Sequence, residues 1–233
     1  MDVRNRLLEA LCSGVYEKLA PHLKEVSLEQ GKILHHPGET IRDLYFPIDC
    51  LLSITITMEG GMMAETGLVG NREVLGVNAF MGGRETTQTQ YIVQITGTAI
   101  KIDAAVLLEE FDRNKALRNV LLRYTQALIA QISQTTACNR FHTLEQRFGR
   151  WLLEAQDRVN SDELRLTHEF LAQMLGVRRA GVSEAAQKFQ DSKLIRYHRG
   201  RINILNQPGL EAASCECFRC VKEQYDRLLG VRQ

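Results

Sequence analysis

Phe170-Leu171-Ala172-Gln173-Met174-Leu175-Gly176-Val177-Arg178-Arg179, followed three residues later by Val182, is the stretch from which the fold is read. An apolar turn of helix containing the small Ala172 runs into Gly176, and a second helix starts just beyond. Ala172 lets that second helix cross close to the first. Gly176 supplies the positive backbone dihedral that a tight interhelical turn needs. Val182 then falls where the second helix plugs the gap. A small residue, a glycine four on and a branched apolar residue six after that is the helix-turn-helix spacing. It predicts a second helix of the size that enters a DNA major groove.

Working outward from this motif, Thr167 is placed to cap the first helix through its hydroxyl. On the second helix Val182, Ala185, Ala186 and Phe189 share one face and are expected in the core. The other face presents Ala180, Ser183, Glu184 and Gln187, with Arg178 and Arg179 at the helix start. Arginine forks pair with guanine edges, and glutamate accepts from cytosine. Beyond lies Leu194-Ile195-Arg196-Tyr197-His198-Arg199-Gly200-Arg201-Ile202-Asn203-Ile204-Leu205, which reads as two short strands around an Arg-Gly turn, a wing. Lys188, Lys193, Arg196, Arg199 and Arg201 are suited to phosphates, which set register without carrying sequence information. Only Glu184 and Asp191 oppose this positive run. The bland reading of such a helix pair is a partner-binding fold with a solvated charged face; the basic run and the wing together favour DNA.

Upstream, Leu7, Leu8, Leu11, Val15 and Leu19 lie at helical spacing. From Val26 to about Asp103 the texture changes to short apolar or alternating runs. These are Lys32-Ile33-Leu34, Leu44-Tyr45-Phe46, Leu51 to Thr57, Tyr91 to Ile95 and Ala99 to Ile102, all punctuated by glycine. They predict a compact antiparallel roll, with Gly67-Leu68-Val69-Gly70 as a turn between strands. After a short helical piece through Leu107, Leu108 and Phe111, the residues Leu117, Leu121, Tyr124, Leu128, Gln131, Thr135 and Cys138 alternate steps of four and three. That spacing draws one stripe along a long helix. It reads as a dimer seam, with packing on the chain's own roll as the plainer alternative. No glycine or proline interrupts the stretch from Lys115 to Phe148. The fold class is therefore α+β, with a sensor roll over residues 1–110, a dimerisation helix over 111–139 and a winged helix-turn-helix domain over 140–233.

Bulk composition sets limits. The chain has 233 residues, a formal net charge of +1 and six cysteines. A near-neutral total means that any nucleic-acid surface is local. No apolar run approaches the ~18–20 residues of a membrane span, and the N-terminus lacks a signal-peptide core. Cysteines without framework spacing predict reduced thiols and a cytoplasmic address. No nucleophile–base set, paired catalytic carboxylates or phosphate-cradling loop stands out, so no enzyme is expected.

The order of roll, long helix and winged helix-turn-helix resembles the Crp/Fnr family of bacterial regulators, which includes the cyclic-AMP receptor protein. The residues carrying the resemblance are Gly31-Lys32-Ile33-Leu34 with Gly38-Glu39, Leu44-Tyr45-Phe46, the glycine-rich stretch to Gly76, and Leu166-Thr167 through Ile204. It implies a cyclic-nucleotide-binding-like roll, a homodimer with long helices side by side, and two recognition helices on palindromic double-stranded DNA. RNA polymerase is a further candidate partner. The nucleotide pocket departs from the family pattern. Gly76 is followed by Val77-Asn78-Ala79-Phe80 where the family's binders carry Gly-Glu, and the phosphate-binding Arg-Ser or Arg-Thr pair falls near Thr87-Gln88, with Arg84 the nearby cation. A buried phosphate without a well-placed cation is costly. A signal other than cyclic AMP, or none, is the expectation. Ser133 on the long helix remains available to the roll.

Cys215-Glu216-Cys217-Phe218-Arg219-Cys220 is a second local oddity. Three thiols so close suit a redox switch, zinc or an iron–sulfur centre. No fourth ligand is adjacent in sequence, and the family's iron–sulfur regulators carry cysteines chiefly N-terminally, where this chain has only Cys12 and Cys50. Structural thiols, with no metal and no cofactor, are therefore the expectation. Cys217 and Cys220 are expected to face one way on a helix, with Cys215 apart. Two rivals stand beside the DNA reading: a cyclic-nucleotide- or redox-responsive module acting through protein partners, and an enzyme regulatory subunit.

Overall fold

Alternating apolar residues after Leu23 pair into two antiparallel sheets facing each other across a shared core. A computed structural model describes residues 4–82 and 87–230. Two short helices, α1 (Arg6–Glu9) and α2 (Ser13–Leu19), lead through a 3-10 turn at Ala20–His22 into the roll. Its strands are β1 (Lys24–Leu28), β2 (Ile33–His35), β3 (Asp43–Pro47), β4 (Leu51–Thr57), β5 (Met63–Val69), β6 (Gln90–Ile95) and β7 (Gly97–Asp103). One sheet has the order β1-β7-β3 and the other β2-β6-β4-β5. The stretch through Gly67 is thus the end of a strand. A register shift opposite Ile54 and Thr55 places Gly67 beside a bulge, which is why glycine there read as a turn.

Helix α3 (Ala104–Arg113) follows, capped by Asp103, and then α4 (Lys115–Phe141), whose cap Asn114 accepts from the amides of Ala116 and Leu117 at 3.0 and 3.3 Å. Helix α4 ends before Phe148 because Thr143 opens a new helix, α5 (Leu144–Val159), with a capping box. The Thr143 hydroxyl accepts from the Gln146 amide, and the Gln146 carboxamide accepts from the Thr143 amide. Then come β8 (Glu163–Arg165), α6 (His168–Leu175), α7 (Arg179–Asp191), β9 (Ile195–His198), β10 (Arg201–Ile204), α8 (Gln207–Ala213) and α9 (Cys217–Leu229). Strand β10 lies between β8 and β9.

Two apolar cores organise these elements. The first joins the roll to α4 and includes Val221, Tyr225 and Leu228. The last helix, α9, therefore packs largely with the roll and α4, although the sequence boundary at 140 assigns it to the DNA-binding part. The second core joins Phe148, Trp151 and Leu152 of α5 to the helix-turn-helix, and it takes in Leu51, Leu68 and Ile95 of the roll. Strand β4 is consequently buried on both faces: Leu52 and Ile54 face the roll interior, while Leu51 meets the second core. Among the described residues no helix is long and apolar enough to cross a membrane.

Candidate nucleic-acid interface

The Thr167 hydroxyl accepts from the Phe170 amide at 3.2 Å and starts α6. Gly176 ends it at φ +63°, with the Val177 amide donating back to the Ala172 carbonyl at 2.9 Å, the left-handed stop that glycine favours. Val182, Ala185, Ala186 and Phe189 of α7 are buried, and Phe189 stacks on Phe148 with centroids 5.6 Å apart. The opposite side of α7 stays open: Arg178, Arg179, Ala180, Glu184 and Gln187 are exposed. In the wing, Arg199 and Gly200 both take positive φ, +47° and +76°, and turn β9 into β10, as a two-residue hairpin requires. Arg196, Arg199 and Arg201 are exposed.

Several expected contacts are spoken for inside the chain. Ser183 is half-buried, its hydroxyl 2.9 Å from Nδ1 of His168, whose ring stacks on Tyr197 of β9 at 4.0 Å. Burial, with the nearby Arg179 charge second, lowers the His168 pKa, so this link between α6, α7 and the wing is a neutral one. Lys188 pairs with Glu145 at 2.5 Å, Arg201 lies 3.6 Å from Glu163, and Gln187 donates to Asp191 at 2.8 Å. Exposed contacts of this kind are weak in water and yield readily to a phosphate. Among the described residues Arg178, Arg179, Arg196 and Arg199 have no ion-pair partner.

The stripe on α4 points elsewhere than expected. Leu117, Leu121, Tyr124, Leu128 and Gln131 are all buried within the chain, and Thr135 accepts from Arg150 at 2.7 Å. The plainer alternative accounts for what these side chains touch within the chain: the first five pack on the roll and α9, and Thr135 on α5. The stripe is apolar because the roll requires it. On the outward face of α4, Leu122 and Ile129 are 47% and 55% exposed. Ser133 also lies on that exposed side rather than facing the roll.

Inside the roll, the four-residue turn Val77–Phe80 follows Gly76, with Val77, Ala79 and Phe80 buried. Phe80 lies against Phe111, Asn78 accepts from the Tyr91 hydroxyl at 3.3 Å, and the Tyr124 hydroxyl donates to the Val74 carbonyl at 2.8 Å. Apolar and aromatic groups occupy the position where the family pattern has a carboxylate. Arg84 lies outside the described residues.

The thiols regroup. Cys215 and Cys217 converge with Cys138 and His142 from the end of α4, while Cys220 stands outside that group. Helix α9 starts only at Cys217, so Cys215 precedes it and helical periodicity does not govern its direction. The contact with Cys215, aided by Arg150, lowers the Cys138 thiol pKa from its ordinary value.

A buried ionic network joins the roll to the winged helix-turn-helix domain. Arg158 of α5 donates through Nε to Glu73 at 3.1 Å and lies 3.4 Å from Glu154, which accepts from Arg150 at 2.8 Å. The Gln131 carboxamide donates to the Tyr225 hydroxyl and the Leu68 carbonyl, and accepts from Arg158 Nη2 at 2.9 Å. Trp151 Nε1 donates to Glu65 at 2.8 Å, Ser53 also donates to that carboxyl, and burial pushes the Glu65 pKa up to about 8. Arg150, Glu154 and Arg158 stand four residues apart on α5, a spacing that reads as ordinary helix-surface ion pairs; nothing local announces that Glu73 and Glu65 join them. A second local hint is Gly70, where a Cβ would stand 2.4 Å from the Arg158 Cβ.

Fold and site together define a winged helix-turn-helix protein built on a β-roll and a long helix. Residues 146–213 match the model of the Crp-like helix-turn-helix domain. The global nitrogen regulator of Synechococcus elongatus is 22% identical over 78% of this chain and 86% of its own length; that of Nostoc sp. PCC 7120 is 20% identical over 76% and 83%. Among solved structures, FixK2 from Bradyrhizobium japonicum superposes with a TM-score of 0.71 at 14% identity, covering 83% of this chain and 98% of its own. A CRP-family transcriptional regulator from Thermus thermophilus gives 0.67 at 18%, covering 82% and 96%. The chain thus carries a Crp-like helix-turn-helix domain and has the overall fold of the Crp/Fnr transcription regulators.

Proposed function

We propose that this chain is a sequence-specific transcription regulator that binds palindromic DNA as a homodimer, working in the cytoplasm and regulatory rather than enzymatic. The observation carrying this reading is the exposed, unpaired arginine pair opening α7, beside a basic wing, on a helix whose other face is closed in the core. Arg178, Arg179, Ala180, Glu184 and Gln187 read base edges. Arg196, Arg199 and Arg201 hold phosphates, with Lys188 joining them once released from Glu145. Two such helices related by a twofold axis suit half-sites ~34–36 Å apart. The second copy docks on the outward face of α4 through Leu122 and Ile129. RNA polymerase is a candidate partner on such sites.

The aromatic filling of the roll supports a signal other than cyclic AMP, or constitutive binding. Selection from random duplexes tests the proposal. Enrichment of a two-fold symmetric motif, bound tightly without added cyclic nucleotide, is expected. Failure to enrich any symmetric sequence overturns it and favours a module acting through protein partners.

A further inference from the structure

Four ligand-type side chains from two segments of the chain, more than seventy residues apart, meet at the joint between α4, α8 and α9. Cys138 lies in the last turn of α4, His142 is its C-cap, Cys215 sits in the link from α8, and Cys217 opens α9. Their ligand atoms all fall within 4.8 Å of one another, with Cys138 Sγ and Cys215 Sγ 3.6 Å apart and Cys217 Sγ 3.6 Å from His142 Nδ1. All three thiols are buried. We propose that Cys138, His142, Cys215 and Cys217 bind one zinc ion.

The spacing fits that ion. Zinc bonds of ~2.3 Å to sulfur and ~2.0–2.1 Å to nitrogen, arranged tetrahedrally, put the ligand atoms about 3.5–3.8 Å apart along each edge. A disulfide instead holds its sulfurs ~2.05 Å apart. An iron–sulfur cluster spreads its thiolates over separate iron atoms, wider than this group. The surroundings fit as well. His142 Nε2 lies 3.3 Å from a Glu216 carboxylate oxygen, a neighbour that favours the Nε2–H tautomer once a metal takes Nδ1, as in carboxylate–histidine–zinc sites. Gln134 Nε2 donates to Cys217 Sγ at 3.1 Å, and the Arg150 guanidinium beside Cys138 offsets thiolate charge. On binding, each thiol that is still protonated gives its proton to solvent and no electrons are exchanged. The ion ties the end of the long helix to the start of α9, beside the joint where the DNA-binding helices begin.

The test is zinc content and cobalt(II) substitution of the full-length chain, purified reduced and anaerobically. Expected are one zinc per chain and, with cobalt, the visible bands and thiolate charge transfer of a tetrahedral sulfur-rich site. C138S, C215S and C217S lose them, whereas C12S and C220S keep them. E216A keeps the tetrahedral spectrum while binding zinc about 10- to 100-fold more weakly. Because a ligand variant can fail to fold, the cobalt titration of the unmodified chain decides independently. A featureless or octahedral spectrum there overturns the proposal, as do iron with acid-labile sulfide, or equal metal loss in C220S and C217S.

Discussion

Arg158 and Glu73 stand 3.1 Å apart with side chains 1% and 0% exposed, one on the first helix of the winged helix-turn-helix part and the other on the roll. Their attraction must offset the loss of hydration of both charges, and it does so only with help. Glu154 lies on the other side of Arg158, and the Gln131 carboxamide accepts from its remaining nitrogen. Removing one member leaves a buried charge without its partner. Arg158→Met should therefore lower unfolding stability by about 3–5 kcal/mol, and adding Glu73→Gln should recover much of the loss. Thermal or denaturant unfolding of the three proteins checks this; equal losses in the single and double variants would refute it.

Glu65 makes the same junction sensitive to pH. Its carboxyl titrates near 8 in the folded chain against an ordinary 4.5, chiefly because burial disfavours the charge. As pH rises past the unfolded value, the unfolded chain releases this proton while the folded chain retains it. Its contribution, complete at low pH, is thus lost between about 4.5 and 8, at about 1.4 kcal/mol per pH unit at most. Glu65→Gln should be flatter than wild type across that window in unfolding titrations. Parallel curves would sink the assignment.

The two arginine sets should separate in DNA binding. Arg179→Ala is expected to weaken a selected duplex more than a random one, by about 1–3 kcal/mol. Arg199→Ala should weaken both alike and reduce the slope of log affinity against log salt by about 1. Fluorescence anisotropy at several salt concentrations measures both, and identical profiles for the two variants would contradict the division of labour.

On α4, Leu122→Glu with Ile129→Glu should convert a homodimer to monomer in sedimentation while leaving the thermal midpoint of the protomer nearly unchanged, since both side chains already face solvent. Tyr124→Ala, by contrast, should cost roughly 3–5 kcal/mol in folding. An unaltered association state in the double glutamate variant argues against this face as the seam.

Gly70→Ala tests the close approach of strand end and helix. The added methyl would meet Arg158 Cβ at 2.4 Å, so α5 must shift. A loss of about 1–3 kcal/mol is expected; a neutral substitution would show that α5 is free to yield.

Local chemistry made much of this legible in advance. Ala172, Gly176 and Val182 announce a helix pair because their spacing is a property of any two helices crossing at a tight turn. Thr167 and the Arg199-Gly200 turn are similarly local. The α4 stripe was legible as apolar, but periodicity says only that a face is covered, not by what. The roll and α9 covered it. The Thr143–Gln146 capping box was readable and marks the end of α4 better than the absence of glycine did.

What the chain order alone determined, then, are the features set by neighbours a few residues apart: the helix-turn-helix, the wing, five of the seven described strands of the roll (all but β1 and β5) and the basic run on an otherwise neutral protein. Tertiary structure alone decided which distant groups share a space. It brought Arg158 to Glu73, Trp151 to Glu65, and Cys138 with His142 to Cys215 and Cys217. Desolvation and ligand geometry depend on distance in space, and separations of some seventy to ninety residues along the chain carry no trace of it.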